Sequence, residues 1–151
     1  MTAAGPGQLL FGFVRHWSRR ATSDDAGVAE QGRLILVTEA VAALIERAEP
    51  ATVNAVAEEV GVDQSGGSRL IKSAVQAGYL TMITGTADGR RREAAVTESG
   101  RVALRHAHAW QERMFDEMTV GWSQTRRDDF RAAMVDLIAR SHEIGASRTG
   151  R

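Results

Sequence analysis

Three consecutive arginines, Arg90, Arg91 and Arg92, follow the dipeptide Asp88-Gly89, and a second basic group, Arg69 and Lys72 with Gln64, Ser65 and Ser68 beside it, precedes them. Guanidinium groups present a planar fork of donors that matches phosphate oxygens and base edges, so both groups suit a polyanion. A different set, His16, Trp17, Leu36, His106 and Trp110, mixes aromatic, apolar and titratable side chains of the kind that line a small-molecule cleft. His106 and His108 are two apart and diverge on a helix, which makes them a poor metal pair, and no metal site is expected. The sequence has no Cys, which removes thiolate ligands and thiol nucleophiles. It contains no Gly-x-x-x-x-Gly-Lys, Gly-x-Ser-x-Gly or His-Glu-x-x-His, so no catalytic residue and no cofactor is expected. The adjacent Glu58 and Glu59 diverge on a helix and form no acid/base pair.

The 151 residues carry 19 basic and 19 acidic side chains, a net charge of zero that hides an uneven distribution. Residues 1–22 hold Arg15, Arg19 and Arg20 and no acid, whereas residues 23–61 hold eight acids and two arginines. Residues 62–105 turn basic again, with Arg69, Lys72, Arg90, Arg91, Arg92, Arg101 and Arg105 against four acids. Local field governs attraction to a polyanion, so a neutral chain can still present one positive face. No run of 18 apolar residues and no signal-peptide pattern occur, which reads as a cytoplasmic protein with no membrane partner.

The elements that must position these groups are mainly helical. Leu9, Leu10, Phe13, Val14 and Trp17 form one stripe of a first helix. Thr22–Asp25 reads as a turn, and a largely buried second helix runs from Glu30 through Leu34, Val37, Val41 and Leu44, stopping before Pro50. Thr52 is placed to cap a short helix ending at Gly61, and Asp63 or Ser65 to cap the next, which Gly78 stops. Two short helices about Gly61-Val62-Asp63 make a helix-turn-helix pattern. A strand over Leu80–Thr84, a turn at Gly85–Gly89 and a returning strand from Arg90 to Val96 make a hairpin. Thr97 then caps a helix reaching Met118, and a last helix places Phe130, Met134, Leu137, Ile138 and Ser141 on one face. The expected organisation is a disordered tail at 1–7, supporting and dimerising helices at 8–48, a winged helix-turn-helix at 49–100, dimerisation helices at 101–143 and a flexible tail at 144–151.

Helix-turn-helix followed by a two-stranded basic hairpin is a winged helix. Asp88-Gly89-Arg90 with Val96-Thr97-Glu98-Ser99-Gly100-Arg101, and the stretch from Thr52 through Leu70, resemble the MarR family of bacterial transcriptional regulators over roughly residues 8–143. The resemblance implies a homodimer joined through its first and last helices, double-stranded DNA with a palindromic operator as partner, and release by a small aromatic or anionic ligand. It implies that Arg90 enters a minor groove and that Asp88, with Gly89, structures the wing. It also implies that Gln64, Ser65, Ser68, Arg69 and Lys72 face DNA from the recognition helix, with Arg91 and Arg92 beside Arg90. Gly66-Gly67 departs from the family pattern: two glycines cost a helix about 2 kcal/mol against alanine, and their expected benefit is close approach of backbone to phosphate. Ala94 is smaller than the residue expected on the returning strand. The alternative reading is a winged-helix module for protein interaction or ligand binding without specific DNA reading, motivated by those glycines and the zero net charge.

Overall fold

In the computed structural model the described residues are 3–20, 26–85 and 89–149. The expected turn at Thr22–Asp25, and Asp88 at the tip of the wing, lie outside them. The first helix, α1 (Pro6–Arg20), begins inside the segment expected to be a tail. Proline's fixed φ suits a first helical position. Gly5 also closes the end, its carbonyl accepting from Leu9 N–H (3.1 Å) and its N–H donating to Gln8 Oε1 (3.0 Å).

The core is built on α2 (Ala26–Glu46), which starts four residues earlier than its sequence pattern indicates. Val37, Thr38, Val41 and Leu44 on α2 are buried, and the Thr38 hydroxyl is satisfied by the Leu34 carbonyl (2.6 Å). The helix ends well before Pro50. Ala48 adopts a positive φ of 57°, its N–H bonds the Ile45 carbonyl and Glu49 N–H bonds the Leu44 carbonyl, which satisfies the last turn.

Helix α3 (Val53–Val60) packs Val56 and Ala57 inward, and α4 (Gln64–Gln76) packs Gly67, Ile71 and Ala74 inward. Thr52 caps α3 through Ala55 N–H (3.2 Å), and Asp63, rather than Ser65, caps α4 through Gly66 N–H (2.7 Å). Strands β1 (Leu80–Thr84) and β2 (Arg92–Val96) pair antiparallel with Leu80 opposite Val96 and Thr84 opposite Arg92. The return strand is therefore two residues shorter than expected, leaving Arg90 and Arg91 in the connection, where Gly85 N–H bonds the Arg91 carbonyl (2.6 Å). Leu80 and Ala94 complete the core with Val56 and Ile71.

Ala94 is small for a visible reason. Its N–H donates to the carbonyl of Ala51 (2.8 Å), so the chain entering α3 runs alongside β2, and both alanines are buried. A larger side chain would meet packing with no space to yield.

Helix α5 (Glu98–Met118) follows directly. The chain forms two compact units that part after His108, within this helix. In the second unit the end of α5 is followed by a turn at Gly121 (φ 84°) and by α6 (Gln124–Thr149). Phe115 stacks on Phe130 (5.7 Å between ring centres), Trp122 meets Phe130 edge-on (5.8 Å), and the Arg126 guanidinium lies 4.1 Å from the Trp122 ring centre. Arg127 bonds Asp116 (2.5 Å) and the Thr119 carbonyl (3.2 Å), closing the corner. The last helix continues to Thr149, past the expected tail boundary. Arg140 pairs with Glu143 (2.6 Å), Ser147 bonds the Glu143 carbonyl (2.8 Å), and no proline interrupts the helix. No helix among the described residues is long and apolar enough to cross a membrane.

Candidate nucleic-acid interface

The geometry of α4 follows from its buried face. Successive residues turn about 100°, so with Gly67, Ile71 and Ala74 inward, Ser65, Arg69, Lys72 and Gln76 point directly outward. All four are exposed. Gln64 and Ser68 are exposed too, but on the flank of this face. Gln76 escaped sequence reasoning, although its spacing of seven from Arg69 places it on the same face.

The two glycines face the other way. A Cβ on Gly67 would stand 2.6 Å from the Cβ and 3.1 Å from the Cα of Ala57, and one on Gly66 would stand 2.9 Å from Asp63 Oδ1. Gly67 thus lets α4 cross α3 at backbone contact, and Gly66 leaves room for the Asp63 cap. The missing side chain of Gly67 makes room for α3, a role the sequence pattern did not show. The helical cost of the glycines is offset inside the fold.

The arginines divide by environment. Arg47 is held by Glu49 (2.8 Å) and, through both terminal nitrogens, by Glu59 (2.6 and 3.2 Å), which fastens the end of α2 to α3. The Glu59 hydrogen bond, then that of Glu49, raises the pKa of Arg47. Arg33 pairs with Glu30, and Arg101 and Arg105 share Glu98. Arg101, chiefly through its hydrogen bond and then its charge, holds the Glu98 carboxyl below its ordinary value. By contrast Arg69, Lys72, Arg91 and Arg92 are exposed and take no acidic partner among the described residues. Arg90 is exposed beside them, directly after Gly89.

The stretch Val96–Arg101 fastens α5 to the end of the helix-turn-helix. The Thr97 hydroxyl donates to the Gly78 carbonyl (2.5 Å) and accepts from Gly100 N–H (3.0 Å), while Thr97 N–H donates to the Tyr79 carbonyl (3.0 Å). A Cβ on Gly100 would collide with that Tyr79 carbonyl. Tyr79 is also tied to α2, its hydroxyl accepting from Gln31 Nε2 (3.0 Å). One tyrosine joins three elements immediately after α4.

Comparison with solved structures identifies this arrangement. A MarR family transcriptional regulator from Silicibacter pomeroyi is similar over 93% of this chain and 96% of its own, with a TM-score of 0.68 and 17% identity. The chain has the winged-helix fold of MarR-family regulators. FabT of Streptococcus pneumoniae, solved in complex with DNA, is similar over 89% of this chain and 92% of its own (TM-score 0.53, 16% identity). PcaV of Streptomyces coelicolor, a transcriptional regulator solved with its natural ligand, is similar over 95% and 98% (TM-score 0.53, 21% identity). No family model matches the sequence, and no curated protein matches it.

The suggested ligand residues are dispersed along the chain. His16 and Trp17 meet edge-to-face on α1 (5.9 Å), Leu36 and His106 are exposed on α2 and α5, and Trp110 lies beyond His108, in the second unit. The histidine that gains a partner is His108, whose Nε2 lies 2.6 Å from Glu39 Oε1 and so ties α5 to α2. The two residues stand far apart in the chain, and only the fold pairs them.

Proposed function

We propose that this protein is a homodimeric DNA-binding transcriptional regulator, a repressor, that reads a palindromic operator with α4 in the major groove and the hairpin against the flanking backbone or minor groove. The observation that carries this reading is the clustering of four exposed cations without acidic partners among the described residues, Arg69, Lys72, Arg91 and Arg92, on α4 and the hairpin, whereas Arg33, Arg47, Arg101, Arg105, Arg127 and Arg140 are paired. A groove lined by phosphates supplies the counter-charge these groups lack. FabT, with the same fold, was solved with DNA.

A second copy of the chain is proposed to cover the first and last helices. Leu9, Phe11, Phe13 and Val14 on α1 are exposed, Phe11 by 66%, as are Phe130, Val135, Leu137, Ile138 and Ile144 on α6. Exposed apolar stripes of this kind mark an interface. A twofold dimer reads an inverted repeat whose half-sites lie about 10 bp apart or a multiple of that. PcaV was solved with a ligand, which supports release by a small aromatic or anionic molecule. Such a ligand acts only as far as it favours one separation of the recognition helices over another. The alternative reading as an interaction module loses its main motive, because Gly67 is explained by packing.

The test is a fluorescence-anisotropy titration of duplexes selected from a random pool, at two salt concentrations and with non-specific competitor. Competitor-resistant binding that weakens steeply with salt supports the regulator; absence of binding to every selected duplex contradicts it.

A further inference from the structure

The recognition face carries unequal side chains, and that inequality assigns the bases. We propose that Arg69 reads a guanine in each half-site, that it is the principal base-reading residue of α4, and that Lys72 contacts phosphate. This rests on the reading of the protein as a DNA-binding regulator and goes beyond it in naming the base and the residue.

In helix-turn-helix docking the N-terminal part of the recognition helix meets base edges while later turns pass toward the backbone. The first two turns of α4 run from Gln64 to Ile71. Within them Gly67, Leu70 and Ile71 belong to the inner side, and the space beside Gly66 is taken by Asp63 and Val62. The outward positions are Ser65 and Arg69. Ser65, and Ser68 on the flank, are short, so nothing bulky holds the helix away from the groove floor. Arg69 stands between them and Lys72 with its guanidinium free of any acidic partner among the described residues. On the directly outward face of those turns it is the one side chain that is long, planar and multidentate; Gln64, also exposed, stands on the flank at the helix start.

Guanine O6 and N7 form a pair of acceptors in the major groove that matches this fork, and no other base edge offers two acceptors there. Serine hydroxyls bond donors and acceptors alike and discriminate weakly. Lys72 is a compact charge one turn further on, where the helix passes toward the backbone, and is placed for a phosphate. Gln76, a further turn along, is placed at the backbone.

The experiment compares the wild-type protein, Arg69→Ala, Arg69→Lys and Lys72→Ala on one duplex selected by the wild type, with each guanine replaced in turn by 7-deazaguanine, which lacks the N7 acceptor. The expected result is one guanine per half-site whose replacement weakens wild-type binding about tenfold, with no further loss at that position in Arg69→Ala. Arg69→Lys retains affinity with a weaker preference, and Lys72→Ala lowers affinity equally on all duplexes with a shallower salt dependence. Because all these side chains are exposed, circular dichroism melts confirm that each variant folds. The assignment is overturned if no guanine position is sensitive, or if Arg69→Ala loses as much at that position as the wild type. Failure of the wild type to bind any selected duplex would instead overturn the DNA-binding reading itself, and the guanine assignment with it.

Discussion

The arginine at the junction of α2 and α3 and the basic residues of α4 and the hairpin have the same chemistry and opposite settings. Arg47 is spent on Glu49 and Glu59 and is only 30% exposed. Arg69, Arg91 and Arg92 are exposed and face no acid among the described residues. The first arrangement fastens one helix to another; the second leaves charge for something outside the fold. Net charge therefore carries little information about this protein, and the pairing of each arginine carries a great deal.

The widest separation between the two settings is expected on replacing Arg69, Arg91 and Arg92 together by alanine. Duplex affinity should fall at least about a hundredfold, and the slope of log affinity against log salt should shrink by about 0.9 per phosphate contact removed. Unfolding in urea should barely change. If stability falls and binding does not, the assignment of these residues to DNA is wrong.

Gly67→Ala probes the seat of the recognition helix. A methyl group 2.6 Å from the Ala57 Cβ must displace α4 from α3, and overpacking of this kind costs about 1–3 kcal/mol. Against it stands up to about 1 kcal/mol of gained helix propensity. The expected outcome is net destabilisation in urea with weakened DNA binding. A stabilised variant that binds normally would show that the close crossing is not needed.

Arg47→Ala is the mirror of the first experiment. Its ion pairs are partly solvated, so the loss of stability should not exceed about 1 kcal/mol, and the salt dependence of DNA binding should be unchanged. A shallower slope would place Arg47 on the DNA and erase the distinction.

The smallest effect is expected at Glu98. Its folded pKa is depressed by Arg101, so it favours the folded state above its ordinary value of 4.5, and this contribution is lost as pH falls through the depressed value. Glu98→Gln should flatten the acid limb of a stability–pH curve slightly, an outcome that parallel urea titrations at pH 3 to 7 can check. Because the group is exposed, a large change would implicate a partner other than Arg101 and Arg105.

Caps and stops were legible in the sequence because they act within a few residues. Thr52, Thr97 and the glycine at position 78 do what their chemistry indicates, and the alternation of Leu80, Met82 and Thr84 matches β1. The purpose of Gly67 was not legible, since it depends on which residue of α3 stands opposite. The same holds for Ala94, which is buried in the core beside Ala51, and for Glu39 with His108, which only the fold brings together. The outward face of α4 was half legible: the exposed types were evident, but separating Ser65, Arg69, Lys72 and Gln76 from the flanking Gln64 and Ser68 required knowing the buried side.

Arg69, Lys72, Arg91 and Arg92 are proposed to bind duplex DNA. The most direct measurement is anisotropy on a selected duplex across a salt series, with wild type beside the Arg69, Arg91, Arg92 triple alanine variant. The expected result is tight binding by the wild type with a steep salt slope, and a weaker, shallower curve for the variant. Equal curves for the two proteins, or no binding by the wild type, would contradict it.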